Sequence, residues 1–466
     1  MQRGGPAGVL RDDLGDGSRP GHDVAPVQYK IMAPNYIDLF SGCGGLSLGL
    51  RAAGFSNLFA IEAHADAFET YRSNLLRTAE DRHLWPAWLE MRAWKAEDVL
   101  TQCAEQLAGL RGKVDLIAGG PPCQGFSMNG LRRPDDPRSR MVDVYLKYVE
   151  AVQPRIVLME NVVGFRSMKH RTGGTYTDYA IRALKNLGYE TWTDILRAAD
   201  WGVPQRRPRF VLVAALKGTL AGIDPMQRMR VARKGFLMSR KLGSSPTSAR
   251  AAISDLEESN ENLALDAEWG HLGFKSLKRA RRPETRYQQL MRIGSSRQPS
   301  DVRLARHSAA SIGRMLDILN SCERGVCLRP EDRRRLGIKK RSTTPLDPEA
   351  PSPTISTLPD DFIHYSRPRA MTVREHARLQ SFPDWFRFKG PYTSGGNHRR
   401  DACPRFTQVG NAVPPLLAEA IGEMLVGLLD VQTRDKSLHF TKGINVLCKR
   451  SANVRKVSHI NLVTTA

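Results

Sequence analysis

Long apolar runs are missing from this 466-residue chain. No stretch of about 18 such residues occurs, which argues against a membrane-spanning helix. Residues Met1 to Lys30 are rich in Gly, Pro, Asp and Arg and lack the apolar core of a secretory signal, so the protein is expected to stay inside the cell. Cysteine is scarce and odd in number, seven in all, and scattered, which excludes a disulfide framework. Only Cys322 and Cys327 lie close together, with no further ligand pair at metal spacing, so no metal site is expected. Acidic residues are also in deficit, 48 against 70 Lys and Arg, leaving a net charge of +22. The excess is concentrated: Lys217 to Arg341 holds 27 basic and 13 acidic residues. A basic stretch of that density favours a polyanionic partner, because its cations displace the counterions condensed on nucleic acid.

What is present reads as strands alternating with helices. Asn35–Phe40, Leu58–Glu62, Val114–Ala118, Arg155–Met159 and Arg209–Leu216 are short apolar runs. A helix from Leu46 to about Ala53, stopped at Gly54, follows the first. The pattern predicts an α/β fold of Rossmann-like type, a mostly parallel sheet with helices on both faces. After Leu216 the chain becomes basic and irregular, with some helix near Leu304–Leu319, and reads as a smaller separate domain. Thr372–Gln380 and the strongly apolar Pro414–Leu429 are helical again. Gln432–Ala466, with seven basic residues and one acidic, reads as a poorly specified tail.

Four segments carry chemistry. Asp38 to Gly45 (DLFSGCGG) is a glycine turn between a strand and a helix, where backbone can approach a ligand at the helix N-terminus. Its pattern is not the GxGxxG of dinucleotide enzymes, which disfavours an oxidoreductase. Glu62 ends the next strand and is placed to accept both hydroxyls of a ribose. Asp98 is a second candidate acceptor; taken singly, either carboxylate would be an ordinary surface group. Gly119 to Ser127 (GGPPCQGFS) follows the third strand. Its prolines stiffen the loop and present Cys123 at the carboxyl edge of the sheet, where a cysteine is a reactive thiol rather than a small core residue. Gly125–Arg140 reads as a lid over that edge. Glu160-Asn161-Val162 ends the fourth strand at the same rim, and Gln205 to Arg209 (QRRPR) enters the last, its arginines suited to a planar oxygen or a phosphate.

Together with REHARLQSFP from Arg374 and QVGNAVP from Gln408, these segments resemble the ordered motifs of the cytosine-5-specific DNA methyltransferase family. The resemblance covers about residues 34 to 216 and 351 to 430. It implies S-adenosyl-L-methionine as cofactor, held by Phe40, Ser41, Gly42, Gly44, Gly45, Leu46, Glu62, Ala63, Asp98, Pro121, Asn411 and Val413. Phe40 would stack on the adenine and Asp98 would meet its amine. It implies Cys123 as covalent nucleophile, Glu160 on the cytosine ring nitrogen and amine, Arg209 on the carbonyl and Arg207 on a phosphate. Gln124, Ser127, Arg138, Gln205 and Thr354 would contact DNA. Two departures stand out: Ala63-His64 follows Glu62 where an apolar or aromatic residue and then Asp are common, and Pro208 replaces a polar residue.

The organisation expected from the resemblance is an N-terminal disordered segment (1–33), a catalytic domain (34–216), a target recognition domain (217–350), a return segment (351–430) and a basic tail (431–466). The implied partner is double-stranded DNA, read by a monomer in the cytoplasm of a bacterial cell at the nucleoid, either beside a separately acting cognate restriction endonuclease or as a stand-alone modification enzyme. An RNA cytosine-5 methyltransferase and a catalytically silent DNA-binding regulator are the alternatives. The long basic insertion argues against the first, and intact Cys123, Glu160 and Arg209 against the second.

Overall fold

The computed structural model describes residues 33–122, 140–171, 173–220, 222–296, 298–393 and 402–429. Its centre is a six-stranded sheet in the order β2-β1-β3-β4-β7-β5. The strands are β1 (Asn35–Leu39), β2 (Ser56–Ile61), β3 (Leu116–Gly119), β4 (Ile156–Asn161), β5 (Tyr189–Arg197) and β7 (Pro208–Leu216); a short β6 (Gln205–Arg206) pairs separately with Ser352–Pro353. β2, β1, β3 and β4 are parallel, whereas β7 runs antiparallel to both β4 and β5. The mostly parallel sheet is as expected, but β5 escapes a search for apolar runs. Among the described residues it is an edge strand with one neighbour, so Glu190, Thr191, Thr193 and Asp194 can remain partly solvated.

The central strands read as continuous apolar runs because both faces are covered. Tyr36, Leu116, Ala118, Ile156, Leu158, Val211 and Val213 join one core with Leu46 and Leu50 of helix α1 (Gly45–Ala52), the helix Pro225–Ser239 and the helical residues 415–429. The alternating set Ile37, Leu39, Ile117, Val157, Met159, Phe210 and Leu212 joins the other, with helix α2 (Ala65–Leu75) and helices Met141–Val152 and Tyr176–Asn186. The chain passes from β1 to β2 on one side and later places β3 on the other. The crevice beyond the carboxyl ends of β1 and β3 is therefore a topological switch point, where ligands bind in open α/β sheets.

Residues 217–350 contribute Met226, Met229, Phe236, Ile253, Tyr287 and Met291 to the first core. They also build two small satellite clusters, one around Leu256 and Leu277, the other around Ile318 and Leu328. The helix expected near Leu304–Leu319 spans Ala309–Ser321, capped by Ser308. Three buried arginine–carboxylate clusters fasten this segment to the return segment: Arg374 on Asp301, Arg378 on Asp384 and Asp255, and Arg369 on Glu258 and Glu375. One helical stretch, Arg405–Leu429, does reach the length and hydropathy of a membrane span. It breaks at residues 412–414, and 72% of its most apolar window is buried inside this fold, as in a core helix.

Candidate active site

The switch point is lined first by the glycine turn. After β1, Phe40, Gly42 and Gly44 all adopt positive φ (58°, 56° and 97°), coiling the chain into the start of α1. For Phe40 the left-handed conformation costs on the order of 1–2 kcal/mol, the kind of strain that persists at ligand sites. Close approach explains Gly45: a Cβ there would lie 2.4 Å from the carbonyl oxygen of Val413. The turn at residues 411–413 thus presses on the glycine loop from the far end of the chain, while Leu46 is buried in the core.

Two carboxylates flank the turn. Glu62 follows β2; its Oε2 accepts the Gly42 N–H at 2.9 Å and its Oε1 the His64 N–H at 2.7 Å. Burial pushes its pKa up and the two backbone N–H groups pull it back. The carboxylate is oriented by the loop itself and keeps lone pairs for hydroxyls. Asp38, within β1, is wholly buried. Its Oδ2 accepts the Ser47 hydroxyl at 2.6 Å, while Oδ1, like the Ser41 hydroxyl, has no partner among the described residues. Burial raises Asp38 to a pKa of about 7. Unpartnered buried polar atoms beside a strained glycine turn fit a polar ligand. Ala63 and Asp98 are exposed, Asp98 in the first turn of the helix Ala96–Gln102, and the chain leading to it is tied to the Glu62 carbonyl by the Trp94 N–H at 2.8 Å.

The second wall comes from neighbouring strands. β3 and β4 pair in parallel register, Gly119 opposite Met159, so the residues just beyond share one rim. A Cβ on Gly120 would stand 3.1 Å from Glu160 Oε2, and the Asn161 amide donates to the Pro121 carbonyl at 3.1 Å. The start of the GGPPCQG loop is therefore pinned beside Glu160. Cys123, Gln124, Ser127 and Arg138 lie outside the described residues. β7 brings Arg209 from the other side, with Nε 2.8 Å from Glu160 Oε1. Glu160 is 9% and Arg209 8% exposed, so the pair is largely desolvated yet still open at the rim. Burial drives the Glu160 carboxyl upward, with Arg209 and then Arg207 drawing it down.

Two expected DNA contacts are placed differently. Gln205, 0% exposed, donates to the Leu379 carbonyl at 3.2 Å and to Gln380 Oε1 at 3.0 Å, and accepts the Ile355 N–H at 3.0 Å. Arg207 is buried too and donates to the carbonyls of Gly410 (2.8 Å), Ala412 (3.2 Å) and Ile355 (3.5 Å), not to an open phosphate site. The cause is the extended backbone's period of two: 205, 207 and 209 face inward, 206 and 208 outward. Thr354 does stand exposed, donating to the Arg206 carbonyl at 2.9 Å. Asn411 is exposed and Val413 buried on the turn against Gly45. Reading by motif gave no role to Asp38, Asn161 or Gln380. The available signal was a polar residue inside an otherwise apolar strand or helix, which must find a partner when buried.

Known proteins match this arrangement along most of the chain. The family model for C-5 cytosine-specific DNA methylases matches residues 35–427. The type II methyltransferase M.DdeI of Desulfomicrobium norvegicum is 31% identical over 92% of this chain and 95% of its own length. M.XorII of Xanthomonas oryzae pv. oryzae is 31% identical over 85% of each chain. Among solved structures, a protein described as a DNA modification methyltransferase encoded within an E. coli prophage superposes with a TM-score of 0.59 at 25% identity, covering 85% of this chain and all of that one. The switch-point crevice, its carboxylates and its arginine therefore belong to a DNA (cytosine-5)-methyltransferase, and the chain is a member of the C-5 cytosine-specific DNA methylase family.

Proposed function

We propose that this enzyme takes its methyl group from S-adenosyl-L-methionine and adds it to a cytosine swung out of duplex DNA, with Cys123 as covalent nucleophile. The observation that carries the assignment of residues is the Glu160–Arg209 pair, 2.8 Å apart at the rim where the GGPPCQG loop begins. Two neighbouring strands thus offer one carboxyl and one guanidinium to a single small planar ring.

The glycine turn, Glu62 and the unpartnered Asp38 Oδ1 and Ser41 hydroxyl fit a ligand with hydroxyl and amino groups. Glu62 would hold the ribose, Phe40 the adenine, and the 411–413 turn would close the pocket. When bound, S-adenosylmethionine supplies an electrophilic methyl group. The chain's own task is to make carbon-5 of the cytosine nucleophilic. The Cys123 thiolate adds to carbon-6, forming a carbon–sulfur bond and pushing electron density to carbon-5 and the ring nitrogen. Glu160 steadies that nitrogen and the exocyclic amine, delivering a proton as negative charge builds; a buried carboxyl with a raised pKa suits this. Arg209 holds the carbonyl. After methylation a base removes the carbon-5 proton, those electrons form the carbon-5–carbon-6 double bond, the carbon–sulfur electrons return to sulfur, and the ring nitrogen gives its proton back to Glu160, freeing Cys123.

Swinging the base out costs roughly a few kcal/mol, offset by contacts in the pocket. Residues 217–350, with 27 basic and 13 acidic residues between Lys217 and Arg341, would read the major groove as a target recognition domain, and Thr354 would bind a phosphate of the target strand. The type II names of the relatives support a modification enzyme of a bacterial restriction–modification system, which would act as a monomer beside a separate restriction endonuclease. A duplex carrying 5-fluorocytosine at the methylated site tests the scheme, because fluorine blocks release and traps the adduct. Wild type should give a denaturation-resistant protein–DNA species and Cys123→Ser none, while still binding DNA. An adduct with the serine variant, or turnover near the wild-type rate, would refute it.

A further inference from the structure

We infer that Arg207 is a positioning residue that couples cofactor binding to target-cytosine binding, rather than a phosphate contact. The inference rests on the reading that the 411–413 turn borders the cofactor pocket. Arg207 is 3% exposed, and its fork spans two separate segments, taking the Ile355 carbonyl from one and those of Gly410 and Ala412 from the other. A fixed guanidinium fork sharing the carbonyls of two segments sets their spacing as a flexible ammonium does not. The turn it holds is supported from a second side by Gln380, whose amide donates to the Val409 carbonyl at 2.8 Å and the Ala412 carbonyl at 3.3 Å. Gln380 is in turn bonded by Gln205, two residues before Arg207.

This buried network ends on Val413, whose carbonyl sits against Gly45 of the glycine turn. Its other end is two residues along the same extended backbone, where Arg209 grips Glu160. A shift of the 411–413 turn on filling the cofactor pocket is thus transmitted through Arg207 to the pair that holds the base. By linkage the effect is reciprocal: the base, once seated, tightens the cofactor pocket by the same factor.

The test measures affinity for S-adenosylhomocysteine, and affinity for target duplex with and without it across a salt series, in wild type, Arg207→Lys, Arg207→Gln, Gln380→Leu and Asn411→Ala. Wild type should bind duplex at least about 5-fold more tightly when the cofactor product is present, the low end of measured couplings. Arg207→Lys should weaken S-adenosylhomocysteine about 10-fold or more, the scale of lost charged hydrogen bonds, and shrink the enhancement to below about twofold. Arg207→Gln, which removes the charge, should keep the wild-type salt slope for DNA. Gln380→Leu, which leaves every arginine in place, should weaken the cofactor product in the same direction. The inference is overturned if Arg207→Lys leaves cofactor affinity unchanged while the charge-removing Arg207→Gln lowers the salt slope by about one, the signature of a lost phosphate contact. It is also overturned if wild type shows no enhancement. Asn411→Ala separates the two levels. If it weakens the cofactor product and Arg207→Lys does not, the brace fails; if it does not, the pocket boundary fails and the inference with it.

Discussion

Replacing Glu160 by glutamine isolates what its charge does. The amide has the carboxylate's shape, so the tight fit against Gly120, where a Cβ would stand 3.1 Å from Oε2, is preserved. An oxygen also remains to accept the Arg209 Nε–H. What disappears is the counter-charge for an arginine only 8% exposed, and the proton the ring nitrogen needs. Leaving one partner of a buried pair unmatched costs about 3–5 kcal/mol, and the retained hydrogen bond places this variant toward the lower end. The chemical step should slow by about 10²-fold or more, the scale of general acid–base catalysis, or about 2.7 kcal/mol of barrier. Single-turnover transfer of tritiated methyl to a duplex containing the target site measures the step apart from DNA binding, and thermal melting measures the ion pair. Destabilisation with a single-turnover rate within about twofold of wild type would reduce Glu160 to a structural partner of Arg209 and remove the acid from the mechanism.

Two further outcomes follow from the glycine turn. Burial lifts Asp38 from an ordinary carboxylate to a pKa of about 7, so the folded state takes up its proton more readily than the unfolded chain. The stability this contributes is full below about pH 4 and is lost as pH rises through about 7. Against Asp38→Asn, cofactor-free wild type should therefore lose about 2–3 kcal/mol between pH 5 and pH 8 in denaturant titrations, because a proton held only by the folded state is worth about 1.4 kcal/mol for each pH step between the two pKa values. Equal pH dependence of the two proteins would contradict the buried, half-partnered carboxylate. Gly45→Ala places a Cβ 2.4 Å from a backbone oxygen that cannot rotate away. It should destabilise by about 1–3 kcal/mol and weaken S-adenosylhomocysteine, by melting and calorimetry; a variant with native cofactor affinity would separate the turn from the pocket.

Much of the site was legible in the chain because its chemistry sits at strand ends. Glycines before α1, a carboxylate after β2 and Glu160 at the end of β4 are local features, and the parallel sheet brings every such end to one rim. β5 was not legible, since an edge strand partly open to water need not be apolar. The three arginine–carboxylate clusters were hidden for another reason: Arg374 and Arg378 sit in REHARLQ, a helix that reads as amphipathic and is buried throughout.

The sequence by itself determined the family, the alternation of strand and helix, and the residue types gathered at the strand ends, because motif order and short-range periodicity survive without coordinates. Only the tertiary structure decided which of those residues border the crevice and which are consumed in holding distant segments of the protein. Gln205, Arg207 and Arg209 lie within five residues of one another, and all three point inward. Arg209 meets a strand ending in a carboxylate, whereas Gln205 and Arg207 meet carbonyls and an amide from segments some 150 to 200 residues away. A side chain's period along its strand sets the face it takes; what waits on that face is set by long-range packing, which no local pattern encodes.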